Sequence, residues 1–155
     1  MKKTLQMILI STIGIFITIS ASAQDNAALL KYRQNLMKAN GMAMGMIGSI
    51  LKDKLSFTEQ VASHALTVKM NMLLMEKAYA KKVTSGKTDS KPEVWAMWPK
   101  FKQAAANSAQ AADALAVAAA TGDPTMIFPK LKAVGQTCGA CHQTFRQPKG
   151  KRFIR

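Results

Sequence analysis

Two cysteines, the only ones in the 155-residue chain, stand three positions apart near its C-terminus and are followed at once by a histidine: Cys138-Gly139-Ala140-Cys141-His142. On a helix, residues at i, i+3 and i+4 share one face, so two thiols and an imidazole point the same way. This is the C-x-x-C-H spacing of covalent haem attachment, in which the sulfurs bond the haem vinyls and the imidazole takes the iron. Other chemistries fit less well. A disulfide between helical residues three apart closes a tiny loop that adds little stability. A thioredoxin-like dithiol follows a strand of a βαβ unit, and no strand pattern precedes Cys138. Zinc needs a second pair of ligands, whereas the only other histidine is His64 and no cysteine remains. The sequence therefore predicts one covalent haem c, with its iron on His142.

Further donors are abundant, because the chain has 11 methionines. The run Gly41-Met42-Ala43-Met44-Gly45-Met46 resembles the thioether clusters that hold Cu(I), but helical residues two apart point to different faces. Adaptable core packing is the better account of it, and of Met70, Met72 and Met75. His64 lies beside an apolar stripe, where a lone histidine reads as an ordinary hydrogen-bonded residue.

Four helices are expected to position these groups. The first runs from Asp25, capped by Asp25 or Asn26, to about Leu51. It carries Leu29, Arg33, Leu36, Met37, Asn40, Met44, Ile47 and Leu51 on a buried stripe, so Arg33 needs an anionic partner such as a haem propionate. A capping box at Ser56-Phe57-Thr58-Glu59 predicts the second helix, with Phe57, Val61, Ala65, Val68, Met72, Met75 and Tyr79 inward. Residues 81–92 read as an exposed loop, and Pro92 to Trp95 as a short helical turn. The third helix starts near Pro99 and turns Trp98, Phe101, Ala105, Ser108, Ala112, Leu115 and Ala119 to one side. Eleven alanines among its residues 104–120 let a neighbour approach closely. Gly122 ends that helix, Asp123 caps the next, and Pro124 opens it. The fourth stripe, Ile127, Leu131, Val134, Cys138, His142 and Phe145, brings the haem motif to the core, while Pro129 marks either a kink or a later start. Four such helices predict an all-α, antiparallel four-helix bundle.

The N-terminus reads as a signal peptide, residues 1–23: Lys2 and Lys3, an apolar run from Leu5 to Ile19, then Ala21-Ser22-Ala23. That predicts export to the periplasm, with residues 24–155 as one domain ending in a basic tail, 147–155. Loss of the leader lowers the formal net charge from +14 to +12. Such a charge suits an acidic redox partner or a membrane surface, and no nucleic-acid recognition motif accompanies it. No catalytic base, nucleophile or substrate pocket is apparent, so the expectation is not an enzyme.

Lys31-Tyr32-Arg33-Gln34, Lys91-Pro92-Glu93-Val94-Trp95 and Cys138 to Arg146, in this order, resemble class II cytochromes c, the cytochrome c′ family, over essentially the whole mature chain. The resemblance implies His142 as proximal ligand, Arg33 and Gln34 at the propionates, Glu93 near the haem edge and Arg146 beside the proximal histidine. The distal position, four residues after the arginine, is apolar in high-spin, gas-binding members. Here it is Met37, as in the low-spin subgroup whose sixth ligand is methionine. Electron transport is the function this implies; a five-coordinate NO or CO binder is the alternative. The resemblance leaves monomer and homodimer open.

Overall fold

The computed structural model describes residues 18–84 and 86–151. They form an all-helical antiparallel bundle whose four long members are α1 (Thr18–Lys52), α2 (Gln60–Leu73), α5 (Trp98–Ala119) and α6 (Pro124–Phe145). Two short helices, α3 (Met75–Tyr79) and α4 (Glu93–Ala96), complete the set, and a 3-10 turn at Lys149–Lys151 follows α6. Among the described residues there is no strand, only an isolated antiparallel bridge between Ser90 and Arg146.

The expected stripes form the core. Ile47, Val61, Ala65, Val68, Ala112, Leu115, Ile127 and Val134 are almost wholly buried. Packing runs from α1 to α2, from α2 to α5 and from α5 to α6. Among the described residues, α1 and α6 do not pack substantially on each other, so the ring of helices is open between the element that carries Met37 and the element that carries the cysteines.

Several local expectations are corrected. Helix α1 spans Thr18–Lys52, so Asp25 and Asn26 lie inside it and neither caps it; residues 1–17 of the expected signal peptide lie outside the described residues. The capping box does not form. Glu59 is helical itself and makes no side-chain cap; instead the N–H groups of Gln60, Val61 and Ala62 donate to the carbonyls of Phe57, Thr58 and Glu59 at 3.0, 3.1 and 3.1 Å. With the backbone supplying these bonds, no side-chain cap is required, and Phe57 lies in the turn, exposed rather than inward. The second helix is interrupted at Leu74, where α2 gives way to α3, yet Met75 and Tyr79 keep the buried positions expected of them.

The fourth helix starts where Asp123 and Pro124 predict. Asp123 Oδ1 accepts from the Thr125 N–H at 2.8 Å, and Gly122 turns the chain at φ 68°, a conformation that favours glycine. Pro129 is inside α6 rather than at its start.

The loop at 81–92 is not the solvated connection its composition suggested. Val83 is buried, and Leu30 approaches so closely that a Cβ on Gly86 would lie 3.1 Å from it. Backbone bonds strap the loop to the end of α6: Lys91 N–H donates to the Phe145 carbonyl at 2.9 Å and Gln147 N–H to that of Asp89 at 2.7 Å.

Candidate haem site

A cavity of about 320 Å³ fills the opening between α1 and α6, a size within the range of roughly 300–1,000 Å³ usual for ligand pockets. Met37 lines it from α1; Cys138, Cys141 and His142 line it from α6. The motif reaches this wall because Asp123 fixes where α6 starts, and the spacing 127, 131, 134, 138, 142, 145 returns every side chain to the inner face. Val134 and Phe145, on either side of the motif, are buried. Phe101 lies between Tyr79, Trp98 and Phe145, with ring centroids 5.0, 5.5 and 5.3 Å away, and this aromatic cluster anchors the end of α6 to α5.

Both cysteines are free thiols. Burial raises the pKa of Cys138, and Cys141 is pushed up to about 11 by burial and then by its neighbour Cys138. Neither shift favours the thiolate, the form that disulfide exchange uses.

Arg33 is 2% exposed. Its Nε donates to the Ala78 carbonyl at 2.8 Å and its Nη2 to that of Lys81. Its guanidinium carbon lies 4.6 Å from the Tyr79 ring centre and 5.6 Å from that of Trp95, within the range of cation–π attraction. Burial works against its charge, and the Tyr79 phenol is raised above its ordinary value, chiefly by burial. The remaining nitrogen, Nη1, is buried without a partner among the described residues. An unpartnered cationic donor on a cavity wall is what an anionic propionate would satisfy. Together with two thiols, an imidazole and walls of thioether and hydrocarbon, it makes the residues present fit a haem.

The other expected residues divide. Gln34 lines the cavity but spends its amide on the Lys87 carbonyl. Arg146 lines it too and pairs with Asp89 at 3.2 Å. Glu93 is exposed at the start of α4 and is not part of the lining. His64 is half-buried on α2 and is likewise absent from the wall. The methionine run splits as helical geometry requires, with Met42 and Met46 exposed and Met44 facing the cavity; Met70 is exposed, while Met72 and Met75 are buried and line the wall.

Sequence reasoning missed two features. Asn40, one turn beyond Met37 on the same stripe, donates to Met72 Sδ at 3.4 Å and accepts from Asn71 at 2.9 Å. An amide on a stripe of thioethers was the available signal. Lys91 sets its ammonium 3.1 Å from the carbonyls of both Gln143 and Thr144, closing the C-terminal end of the haem-bearing helix. Nothing local to Lys91 signals that contact.

A helical bundle that sets two thiols and an imidazole on one wall of an apolar cavity defines a c-type haem protein. The chain belongs to the cytochrome c′ family, whose model, described as Cytochrome C′, matches residues 28–146. It is 36% identical over 141 residues to a cytochrome c′ of Rhodospirillum rubrum, covering 90% of this chain and 96% of that one. It is 29% identical over 124 residues to a cytochrome c-556 of Agrobacterium tumefaciens, covering 79% of this chain and 100% of that one. Among solved structures, the nitric oxide complex of a mutant cytochrome c prime from Alcaligenes xylosoxidans superposes with a TM-score of 0.70 at 25% identity, covering 80% of this chain and 97% of that one. The cofactor is accordingly haem c, covalently bound.

Proposed function

We propose that the protein is an exported single-electron carrier whose haem iron is held by His142 on one side and Met37 on the other. The observation that carries this reading is that Met37 and His142 line one cavity from the two helices, α1 and α6, that leave it open. When bound, the haem supplies one-electron iron chemistry, and a histidine–methionine ligand pair raises its potential relative to two imidazoles. Cys138 and Cys141 tether the group, Arg33 Nη1 offers a charged donor to a propionate, and the apolar wall excludes water. Of the other cavity methionines, Met72 already has its sulfur engaged by Asn40, whereas no hydrogen bond among the described residues commits that of Met37.

The leader at 1–23 supports export. No helix among the described residues is long and apolar enough to cross a membrane, and an intact mass starting at Gln24 would establish cleavage. An acidic redox protein is the partner the charge favours, with membrane-surface contact a second use of it.

Optical spectra of the oxidised and reduced protein, with and without CO, test the ligation. The wild type is expected to be low-spin and slow to take up CO, and Met37→Ala to become high-spin and to bind CO readily. A wild type that is already high-spin and binds CO would establish the second reading, a gas-binding cytochrome. That reading is favoured by the likeness to the nitric oxide complex noted above.

A further inference from the structure

The mouth of the haem cavity is bordered by a loop that the cavity's own residues hold in place. Arg33 and Gln34 donate to the carbonyls of Lys81 and Lys87, and Thr88 to Ser90 form part of the lining. Pinning these carbonyls inward leaves the side chains of Lys81 and Lys82 exposed beside the opening, and Lys38, also exposed, stands on its rim. Acidic groups nearby offset these lysines little. Asp89 is held by Arg146, and Glu76 is held by Lys102 at 3.3 Å. Among the described residues, Lys38, Lys81 and Lys82 take part in no ion pair.

The far end of the bundle has the other balance. Its two connections, around 53–59 and 120–123, carry Asp53, Glu59 and Asp123 beside Lys52 and Lys54. The excess positive charge is therefore not spread evenly; part of it lies beside the opening of the haem cavity.

We infer that the Lys81–Lys82 segment, with Lys38, is the docking surface for an anionic redox partner, in preference to the basic tail beyond Arg146. The inference rests on the electron-carrier reading. Its physical basis is that charges within about a Debye length of the transfer site, ~8 Å at physiological salt, raise encounter rates more than charges farther from it. Arg33 and Gln34 then serve two ends at once, lining the cofactor cavity and holding the docking loop.

The probe is hexacyanoferrate(III), a trianion that takes one electron from the reduced holoprotein and becomes hexacyanoferrate(II). Its second-order rate is followed against ionic strength for the wild type and for three variants of equal net charge. These are Lys81→Glu with Lys82→Glu, Lys151→Glu with Arg152→Glu on the tail, and Lys52→Glu with Lys54→Glu at the far end. The expected result is a wild-type rate that falls with salt and a loop variant slower at low salt by roughly tenfold, the low end of electrostatic steering. The other two variants should retain most of the wild-type rate and slope. Equal losses in all three would show that only net charge matters, and a loss confined to the tail variant would move the surface there; either overturns the inference. A wild-type rate indifferent to salt overturns it as well. Failure of the underlying reading is distinguishable, because it appears in the CO-binding spectra and not in the salt slopes. If the glutamate pair prevents folding, Lys81→Gln with Lys82→Gln carries the same comparison at half the charge change.

Discussion

Asn40 shows how a single side chain organises the cavity's α1 wall. It accepts from Asn71 and donates to the Met72 sulfur, so three residues on two helices hold one arrangement. Removing either amide leaves a half-buried partner unsatisfied, at a cost of about 1–3 kcal/mol. Asn40→Leu and Asn71→Leu are each expected to lower holoprotein stability by about that amount in urea unfolding. The double variant should cost less than the two singles together, by at least ~0.5 kcal/mol; strict additivity would show that the two amides act independently. The haem motif itself was legible because its chemistry is encoded in five consecutive residues. Arg33 was only half legible. Its burial and its need for a partner followed from the stripe, but the partners that hold it are backbone carbonyls 45 and 48 residues away and the rings of Tyr79 and Trp95, which carry no local signature.

At the scale of elements, helices defined by long apolar stripes were readable, while their ends were not where capping was ambiguous. Asp123 and Pro124 agree with each other and with Gly122, and α6 starts there. Ser56 to Glu59 has the letters of a capping box, yet Glu59 makes no side-chain cap and consecutive backbone turns take up the N–H groups of Gln60, Val61 and Ala62. The loop at 81–92 was misread because its order comes from tertiary bonds rather than periodicity. Lys91 supplies one of these ties, placing a cation on the last carbonyls of α6, where the helix dipole favours positive charge. Lys91→Met should therefore destabilise the holoprotein by about 1 kcal/mol, read from urea unfolding followed at the haem absorbance. Lys91→Arg should recover part of the loss, since it keeps the charge and the donors. A methionine variant as stable as the wild type would mean that the backbone bonds of Lys91 and Gln147 alone hold the strap.

The described residues form a ring of helices open between α1 and α6, and a haem tethered by Cys138 and Cys141 would close it. Three of the four sides of the ring are closed by side-chain packing, α1 on α2, α2 on α5 and α5 on α6, while the fourth, between α1 and α6, is the cavity. The alanines of α5 strengthen this asymmetry, because Ala105, Ala109, Ala112 and Ala119 are buried and let α2 and α6 approach its backbone closely. Stability is then distributed unevenly, with α2 and α5 supported by protein on both flanks and α1 and α6 dependent on the cofactor along their inner faces. Cys138→Ala with Cys141→Ala removes the covalent link, and a chain made without haem exposes the consequence. Amide hydrogen exchange of that chain should be slowest in α2 and α5, and faster in the cavity-facing parts of α1 and α6 and in the loop at 81–92, whose anchors Arg33 and Phe145 belong to those two helices. In the holoprotein the same segments should gain protection on both sides of the gap. Uniform exchange throughout the haem-free chain, or loss of α2 before α1, would show that the bundle does not close around the haem in this way.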